Sequence, residues 1–474
     1  MKKQKLALIF LASAIVPGAV NAESLLEIYQ QALQSDPLIH EAEARRLAAL
    51  EAAPQARGAL FPQINASGDW TTSESSGTSV DADASGTFGT FSSESDSDTT
   101  QWQVSLRQTL FRWDQIVGLR RADKIVAKAE ADREAAQQDL IVRVTQRYFD
   151  VLAAEDRLRA INADKQAIAR QLEQAKQRFD VGLIAITDVQ ESQAAFDQAV
   201  ADEIGAKRSL ATAREFLREI TGSYVSELSA PKADLPLNTP VPASEKEWVD
   251  LAMTQNLALV AARLDEQLAR DQISLQKNGH YPSIDLVVST GSRDSESDRS
   301  INGGPFLQAD SDGDSDSIGI QVTVPLFAGG QTSSRVRQAV YEHRAEREQL
   351  QRVTRETERQ ARDAYLGVLS EISRVKALEQ AVASSRTALE ATEAGFEVGT
   401  RTIVDVLNSQ FALYQSITNY YQARYDYILN TMRLRQAAGN LQVQDLERLD
   451  RWLEARKTPE QEFAEAAEAE ADQP

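Results

Sequence analysis

Two periodicities of apolar residues alternate along the chain. Around 64–70 and 102–106, apolar residues occupy every second position, which predicts half-buried β-strands. After Phe111 they recur at steps of three and four, uninterrupted by proline, over about 65 residues, which predicts a helix about 100 Å long. A helix of that length without internal caps is typical of a coiled coil.

The segment 181–186 interrupts this helical pattern, and helical composition then resumes to about Thr221. Thr187 with Gln190 predicts a capping box at the restart. The chain is therefore expected to reverse into a hairpin of two antiparallel helices. Because the returning helix is shorter than the outgoing one, the opening helix, from Leu25 to about Arg57, is expected to cover the rest of the long helix.

The whole arrangement occurs twice. Four groups of residues recur in the same order 216–220 positions later, which indicates a duplicated unit of helix, strand, loop, strand, very long helix, break and helix. In the second unit, strands begin at Ile284 and Ile318, the long helix covers about 331–395, and the last helix covers about 402–438. The matched groups are 61–65 with 281–285, 104–111 with 322–327, 148–157 with 365–374, and 179–182 with 396–399.

These patterns divide the chain into five parts. Lys2, Lys3 and Lys5 precede an apolar run and the small residues ending at Ala22, which predicts a secretory signal peptide and export. The predicted parts are the signal peptide (1–22), the first repeat (23–221), a proline-rich connector (222–245), the second repeat (246–438) and a C-terminal segment (439–474). The Glu/Ala-rich end of the last part, from Lys457, is expected to be disordered.

Composition narrows the classes of function. A formal net charge of −20 repels nucleic-acid phosphates, so nucleic-acid binding is not expected. The absence of cysteine excludes a disulfide framework and a thiolate metal site. Beyond the signal peptide, no stretch of the chain is apolar enough for a membrane helix, so entry into a membrane requires strands in a closed barrel.

Four strands per chain leave two interpretations open. Four strands cannot close a barrel, for which about eight is the practical minimum. The sheet therefore belongs either to a soluble protein or to a barrel that several chains build together. Polar segments at about 71–100 and 289–317 are expected to be outer loops. Aromatic residues near both ends of the strand pairs favour two membrane-interface girdles, with ordinary core packing as the alternative: Phe61, Phe111, Tyr281 and Phe327 on the helix side, and Trp70 and Trp102 on the loop side.

Two further classes of protein are possible besides a barrel that several chains build together. An enzyme is disfavoured, because the three histidines are scattered and no phosphate loop or nucleophile elbow occurs; no cofactor or metal is expected. A periplasmic coiled-coil adaptor is the alternative interpretation of the long helices. Adaptors have one helical hairpin, whereas this chain has two, each joined to a strand pair.

The two hairpin breaks carry a family resemblance. Residues 178–190 (RFDVGLIAITDVQ) and 398–407 (VGTRTIVDVL) resemble the TolC family of outer-membrane efflux proteins, and the likeness extends over nearly the whole mature chain. It implies a mainly α fold with a membrane β-barrel: a homotrimer whose twelve-stranded barrel stands in outer-membrane lipid on an α-helical tunnel through the periplasm. It also implies docking to a periplasmic adaptor and an inner-membrane transporter of the RND, ABC or MFS type, with drugs, amphiphiles or proteins as cargo.

The resemblance also implies a gate at the hairpin turns, which contain Gly182 and Gly399. Arg401 would bond Thr187 and Asp188 of a neighbouring hairpin and hold the tunnel shut. Phe396 stands where the family has a tyrosine, so a looser closed state is expected. Without the resemblance, Asp188 and Arg401 would be interpreted as ordinary exposed turn charges.

A constriction is implied one turn further along the last helix. The family has two carboxylates there, facing the pore axis; this chain has Asp405 and Asn408. Three copies of Asp405 would form one acidic ring that selects cations. With one ring instead of two, weaker block by multivalent cations is expected. The alternative role for Asp405 is a cap, because it is the fourth residue of the segment that starts at Thr402.

Overall fold

The computed structural model describes residues 22–82, 88–225, 227–232, 234–302, 304–305 and 307–455. Apart from Ala22, the expected signal peptide lies outside these ranges, as does the acidic tail from Lys457. None of the helices in these ranges has both the length and the apolar content that crossing a membrane requires.

The chain divides into two compact units. The first comprises Met1–Glu43, Asp132–Val260 and Val353–Pro474, and the second comprises Ala44–Ala131 and Ala261–Arg352. Each unit takes segments from both sequence repeats, so the duplication does not correspond to two separate domains.

The predicted helical hairpins are present. The two long helices have 68 and 67 residues, and each is followed by a turn and a 36-residue helix. The described helices are α1 (Leu25–Ser35), α2 (Pro37–Leu50), α3 (Ala52–Gly58), α4 (Trp113–Asp180), α5 (Ile186–Thr221), α6 (Glu245–Gln255), α7 (Leu257–Gln276), α8 (Gln331–Glu397), α9 (Ile403–Ala438) and α10 (Val443–Asp450), with a 3-10 helix at Lys277–His280.

The opening helix is broken where one continuous helix was expected. Asp36 precedes Pro37 and has an extended backbone (φ −70°, ψ 117°), because proline disfavours the α conformation in the residue before it. The Asp36 carboxylate then accepts a hydrogen bond from the Leu38 N–H at 3.2 Å. Asp36 therefore ends α1 and caps the start of α2.

The second unit contains a four-stranded antiparallel sheet, in which β1 (Gln63–Ala82) pairs with β2 (Phe88–Phe111), β2 pairs with β4 (Ser283–Ile301), and β4 pairs with β5 (Leu307–Thr323). Its register aligns Ile64 with Leu106, Leu106 with Val288, and Val288 with Ile318, so these apolar residues share one face. The described strands are β1 (Gln63–Ala82), β2 (Phe88–Phe111), β3 (Ala230–Pro231), β4 (Ser283–Ile301), β5 (Leu307–Thr323) and β6 (Leu453–Glu454).

The outer loops expected at about 71–100 and 289–317 are instead mostly strand. Both hairpins continue through these segments with unbroken pairing. Hydroxyl-bearing residues reinforce the pairing: Ser73 bonds Ser97 at 2.8 Å, and Ser289 bonds Ser317 at 2.7 Å. The sheet is polar on both faces here, which removes the alternation that would have predicted strands.

Helix α7 is held on two sides within the second unit. Lys124 and Lys128 of α4 form ion pairs with Asp271 at 2.6 Å and Asp265 at 3.4 Å. On its other side, Glu266 lies 2.6 Å from the His343 imidazole of α8. These contacts join the helices that lead into and out of the sheet.

The main apolar core lies in the first unit. On α4, Ile141, Val144 and Tyr148 are buried, as their spacing predicts. The Tyr148 hydroxyl lies 2.6 Å from the Ser229 carbonyl oxygen. Beside this core, the connector and the C-terminal segment meet, because β3 pairs with β6.

Candidate functional site

Both hairpin turns begin with the same backbone motif. Gly182 and Gly399 have positive φ (74° and 79°), which glycine adopts without steric cost. After α4, the Gly182 N–H donates to the Phe179 carbonyl at 2.8 Å, and the next N–H donates to Arg178 at 2.9 Å. After α8, the Gly399 N–H donates to Phe396 at 3.1 Å, and the next donates to Gly395 at 2.8 Å. This is the Schellman arrangement, so the duplication extends to the hydrogen bonds of the turns.

The two returning helices start differently. Helix α9 has a capping box: the Asp405 N–H donates to the Thr402 hydroxyl at 3.3 Å, and the Thr402 N–H donates to the Asp405 carboxylate at 2.9 Å. Helix α5 begins at Ile186, and its N-cap residue, Ala185, provides no side-chain bond. The capping box predicted for Thr187 and Gln190 is therefore wrong, because the turn places Thr187 inside the helix.

The cap stabilises the ionised form of the Asp405 carboxylate. Hydrogen bonds from the Thr402 N–H and hydroxyl, with a smaller contribution from the Arg401 charge, hold the pKa of Asp405 below its usual range. The carboxylate is thus ionised at neutral pH. Asn408 lies one turn further along α9 and is exposed. The capping role weighed for Asp405 is present, and its place in a pore ring remains a prediction.

The residues assigned to the gate lie at the turns. Thr187 and Arg401 are exposed, and Asp188 is half-buried. The Asp188 N–H donates to the Ala185 carbonyl at 3.2 Å, and the aliphatic part of Arg401 lies beside Gly395. These contacts are local, so the bond from Arg401 to Thr187 and Asp188 of a neighbouring hairpin remains a prediction.

Phe396 makes a contact that the sequence analysis missed. The guanidinium of Arg178, at the end of α4, lies 4.9 Å from the centre of the Phe396 ring. A cation over an aromatic face contributes about 0.5–1 kcal/mol at exposed sites. This stacking links the two hairpins within one chain and needs no hydroxyl on the ring. No local pattern signals it, because the partners are more than 200 positions apart.

Gln410 is a second missed link between the hairpins. It is 2 % exposed, and its amide donates to the Asp164 carboxylate at 2.6 Å and to the Asp164 carbonyl at 3.1 Å. Its carbonyl accepts from Gln171 at 3.1 Å. Burial raises the pKa of Asp164, and the bond from Gln410 opposes that shift. A buried glutamine within an apolar helix pattern is the only sequence signal for this contact.

The aromatic residues near the strand ends lie on the surface of the chain. Trp70 and Trp102 share the face that carries Ile64 and Leu106. Phe111 is half-buried. Exposure of the other five, between 43 and 89 %, argues against packing in a core within one chain: Phe61, Trp70, Trp102, Tyr281 and Phe327. Their place at a membrane interface remains a prediction.

The described ranges contain no group of three or more His, Cys, Asp or Glu side chains arranged to hold a metal ion. The polar side chains gathered at the turns are instead suited to hydrogen bonds and ion pairs. Within the described ranges, such contacts link the turns and the two hairpins of one chain.

The fold is one that is known from a solved membrane protein. It is similar to that of the Campylobacter jejuni CmeC outer membrane channel, with a TM-score of 0.70 at 14 % sequence identity over 96 % of this chain and 98 % of that one. The two helical hairpins and two strand pairs of this chain are thus a fold that it shares with an outer-membrane channel.

The chain belongs to the outer membrane efflux protein family, whose family model matches residues 28–223 and 248–440. It is 39 % identical to the outer membrane protein TolC of Vibrio cholerae serotype O1 over 94 % of this chain and 97 % of that protein. It is 30 % identical to the alkaline protease secretion protein AprF of Pseudomonas aeruginosa over 90 % and 86 %. The protein is therefore located in the outer membrane. The family decides against a periplasmic adaptor, and its members are channels rather than enzymes.

Proposed function

We propose that three copies of this chain form an exit duct across the outer membrane and the periplasm. The observation that carries the proposal is the open sheet: in the order β1-β2-β4-β5, each outer strand has a partner on one side only among the described strands. Unpaired backbone groups cost several kcal/mol each in lipid. Pairing β1 of one copy with β5 of the next removes both edges, and three copies then supply twelve strands.

The test of this assembly is the oligomeric state of the mature protein in detergent. A heat-modifiable oligomer with threefold symmetry in negative-stain images is expected. A soluble monomer would contradict the proposal.

The proposed cargo follows from the family and from one relative. The name of the outer membrane efflux protein family supports efflux as one task, for which drugs and amphiphiles are the proposed cargo. The name of AprF, an alkaline protease secretion protein, supports secreted proteins as another. A periplasmic adaptor and an inner-membrane transporter (RND, ABC or MFS) are the proposed partners, and they would open the duct at the hairpin turns.

At these turns, Arg401 is proposed to bond Thr187 and Asp188 of a neighbouring hairpin. The capped Asp405 and the adjacent Asn408 are proposed to line the constriction. Hydrogen bonds to charged groups contribute about 1.5–3 kcal/mol each, which is enough to hold a gate and little enough for a docking partner to break.

Changing Phe396 to tyrosine is expected to tighten the closed state. The new hydroxyl would donate to Asp188, while the ring still stacks under Arg178. One added bond to a charged group predicts a fall of about tenfold or more in resting open probability, measured on single channels in planar bilayers. Phe411→Tyr is the matched control, because Phe411 is exposed on α9. An unchanged resting conductance in Phe396→Tyr would show that this position does not limit closure.

Changing Asp405 to alanine is expected to reduce cation selectivity and to abolish the remaining block by multivalent cations. The reason is the loss of one charge from each copy at the constriction. The measurement is the reversal potential under a salt gradient. Thr402→Val is the control, since it removes the capping hydroxyl and keeps the negative charge of Asp405. Equal selectivity in wild type and Asp405→Ala would remove Asp405 from the pore lining.

A further inference from the structure

The two hairpin turns occupy corresponding positions of the two repeats, and one of the differences between them falls at the N-cap of the returning helix. Ala185 and Thr402 are 217 positions apart, as are Asp188 and Asp405. The N-cap residues have nearly the same backbone conformation, with φ −80° and ψ 155° at Ala185, and φ −92° and ψ 162° at Thr402. A hydroxyl at position 185 would therefore reach the same place relative to its helix as the hydroxyl of Thr402.

The hydroxyl of Thr402 forms a hydrogen bond with the carboxylate three residues later in the chain. In the second turn, the Thr402 hydroxyl donates to the Asp405 carboxylate at 3.0 Å, and the Thr402 N–H donates to it at 2.9 Å. One oxygen of the Asp405 carboxylate, Oδ2, thus already accepts two hydrogen bonds at the start of its own helix. In the first turn, Ala185 makes no side-chain cap, and Asp188 keeps the equivalent position on α5 without a hydroxyl partner at the N-cap.

We propose that Ala185 is a positioning residue of the gate: by leaving α5 uncapped, it keeps the Asp188 carboxylate available to accept Arg401 of a neighbouring hairpin. The duplicated turns then have separate tasks. The second turn presents the cation and holds its own carboxylate in a cap, whereas the first presents the accepting carboxylate. This inference rests on the proposed gate.

At the N-cap of α5, Ala185 is otherwise an unfavourable residue. Alanine is a poor N-cap, and serine or threonine there usually stabilises a helix by satisfying an orphan N–H. A substitution that improves the helix start is therefore predicted to weaken the gate, which is the reverse of what a purely structural role predicts.

The test compares Ala185→Thr and Ala185→Ser with Ala185→Val. Valine matches the shape of threonine and has no hydroxyl, and serine supplies the hydroxyl with little added bulk. In planar bilayers, the two hydroxyl variants are expected to raise the resting open probability about tenfold, the change expected from losing one bond to a charged group, with no increase for valine. The amount of heat-modifiable oligomer serves as the check on folding.

The same substitutions in an Arg401→Ala background separate this inference from the proposed gate. There, Ala185→Thr is expected to have no further effect, because the acceptor has already lost its donor. Equal conductance of the threonine, serine and valine variants, alongside a leaky Arg401→Ala channel, would overturn the role of Ala185 and leave the gate intact. An Arg401→Ala channel as tight as wild type would overturn the gate itself, and this inference with it.

Discussion

Replacing Gly439 with alanine is expected to destabilise the first unit by about 3 kcal/mol or more, from left-handed backbone strain and forced repacking. Gly439 follows the end of α9 with φ 77°. A Cβ atom there would lie 2.2 Å from the Gln255 carbonyl oxygen and 2.8 Å from the Asn256 nitrogen. Both neighbours are backbone atoms at the junction of α6 and α7, so they cannot turn aside as a side chain can.

The control for this prediction is Gly182→Ala. Gly182 has a similar φ of 74°, but a Cβ there would meet nothing within 4 Å. Only the strain of the left-handed conformation, about 1–2 kcal/mol, is then expected. The measurement is the thermal unfolding midpoint of the helices by circular dichroism in detergent. Similar losses in the two variants would show that the close approach to Gln255 contributes nothing.

The helices were predictable because their signals are local. A periodicity of three to four residues extends without proline through α4, and Ile141, Val144 and Tyr148 are among the apolar positions that the structure buries. The duplication then gave the second hairpin independently. The predictions failed at short range, at the start of α5, where the length of the turn rather than the residue type decides which residue is the N-cap.

The contacts between hairpins were not predictable from one sequence. The stacking of Arg178 on Phe396 and the bonds from Gln410 to Asp164 each join residues far apart in the chain. Such pairs leave almost no signal in the sequence, because Arg178, Phe396 and Asp164 each have the pattern of an ordinary residue on a helix face. Gln410, a glutamine within an apolar pattern, is the exception. The gate assignments came from the family resemblance, and the structure adds to them the caps that distinguish the two turns.

The strands were predicted in place but not in length. Apolar alternation marks only the part of each strand next to the helices. The parts of the strands farther from the helices are rich in serine and aspartate on both faces. Backbone pairing continues there without an apolar face. A test of that pairing therefore belongs in the segment expected to be a loop.

Replacing Gly291 with alanine is expected to disrupt the sheet, although the sequence places this residue in a polar stretch. Gly291 pairs with Gln103 across β2 and β4. A Cβ atom at Gly291 would lie 2.5 Å from the Trp102 carbonyl oxygen and 3.2 Å from the Gln103 Cα. To admit it, the two strands must separate or shift, which costs about 1–3 kcal/mol per chain. The shift would occur in every copy of an assembly that closes only when all strands are in register.

The expected result is the loss of most of the heat-modifiable oligomer from outer-membrane fractions. The measurement is an immunoblot of these fractions before and after heating. Gly68→Ala is the matched control, because a Cβ there would meet its nearest neighbour, the Gln101 carbonyl oxygen, at 3.8 Å, an ordinary contact. If Gly291→Ala assembled as well as Gly68→Ala, the segment after Ser289 would not be a paired strand in the membrane, and the expected outer loop would be correct after all. Loss of the oligomer in Gly291→Ala alone would mean that closure of the barrel depends on strand pairing in the polar parts of the strands. In those parts, no apolar alternation in the sequence predicts a strand.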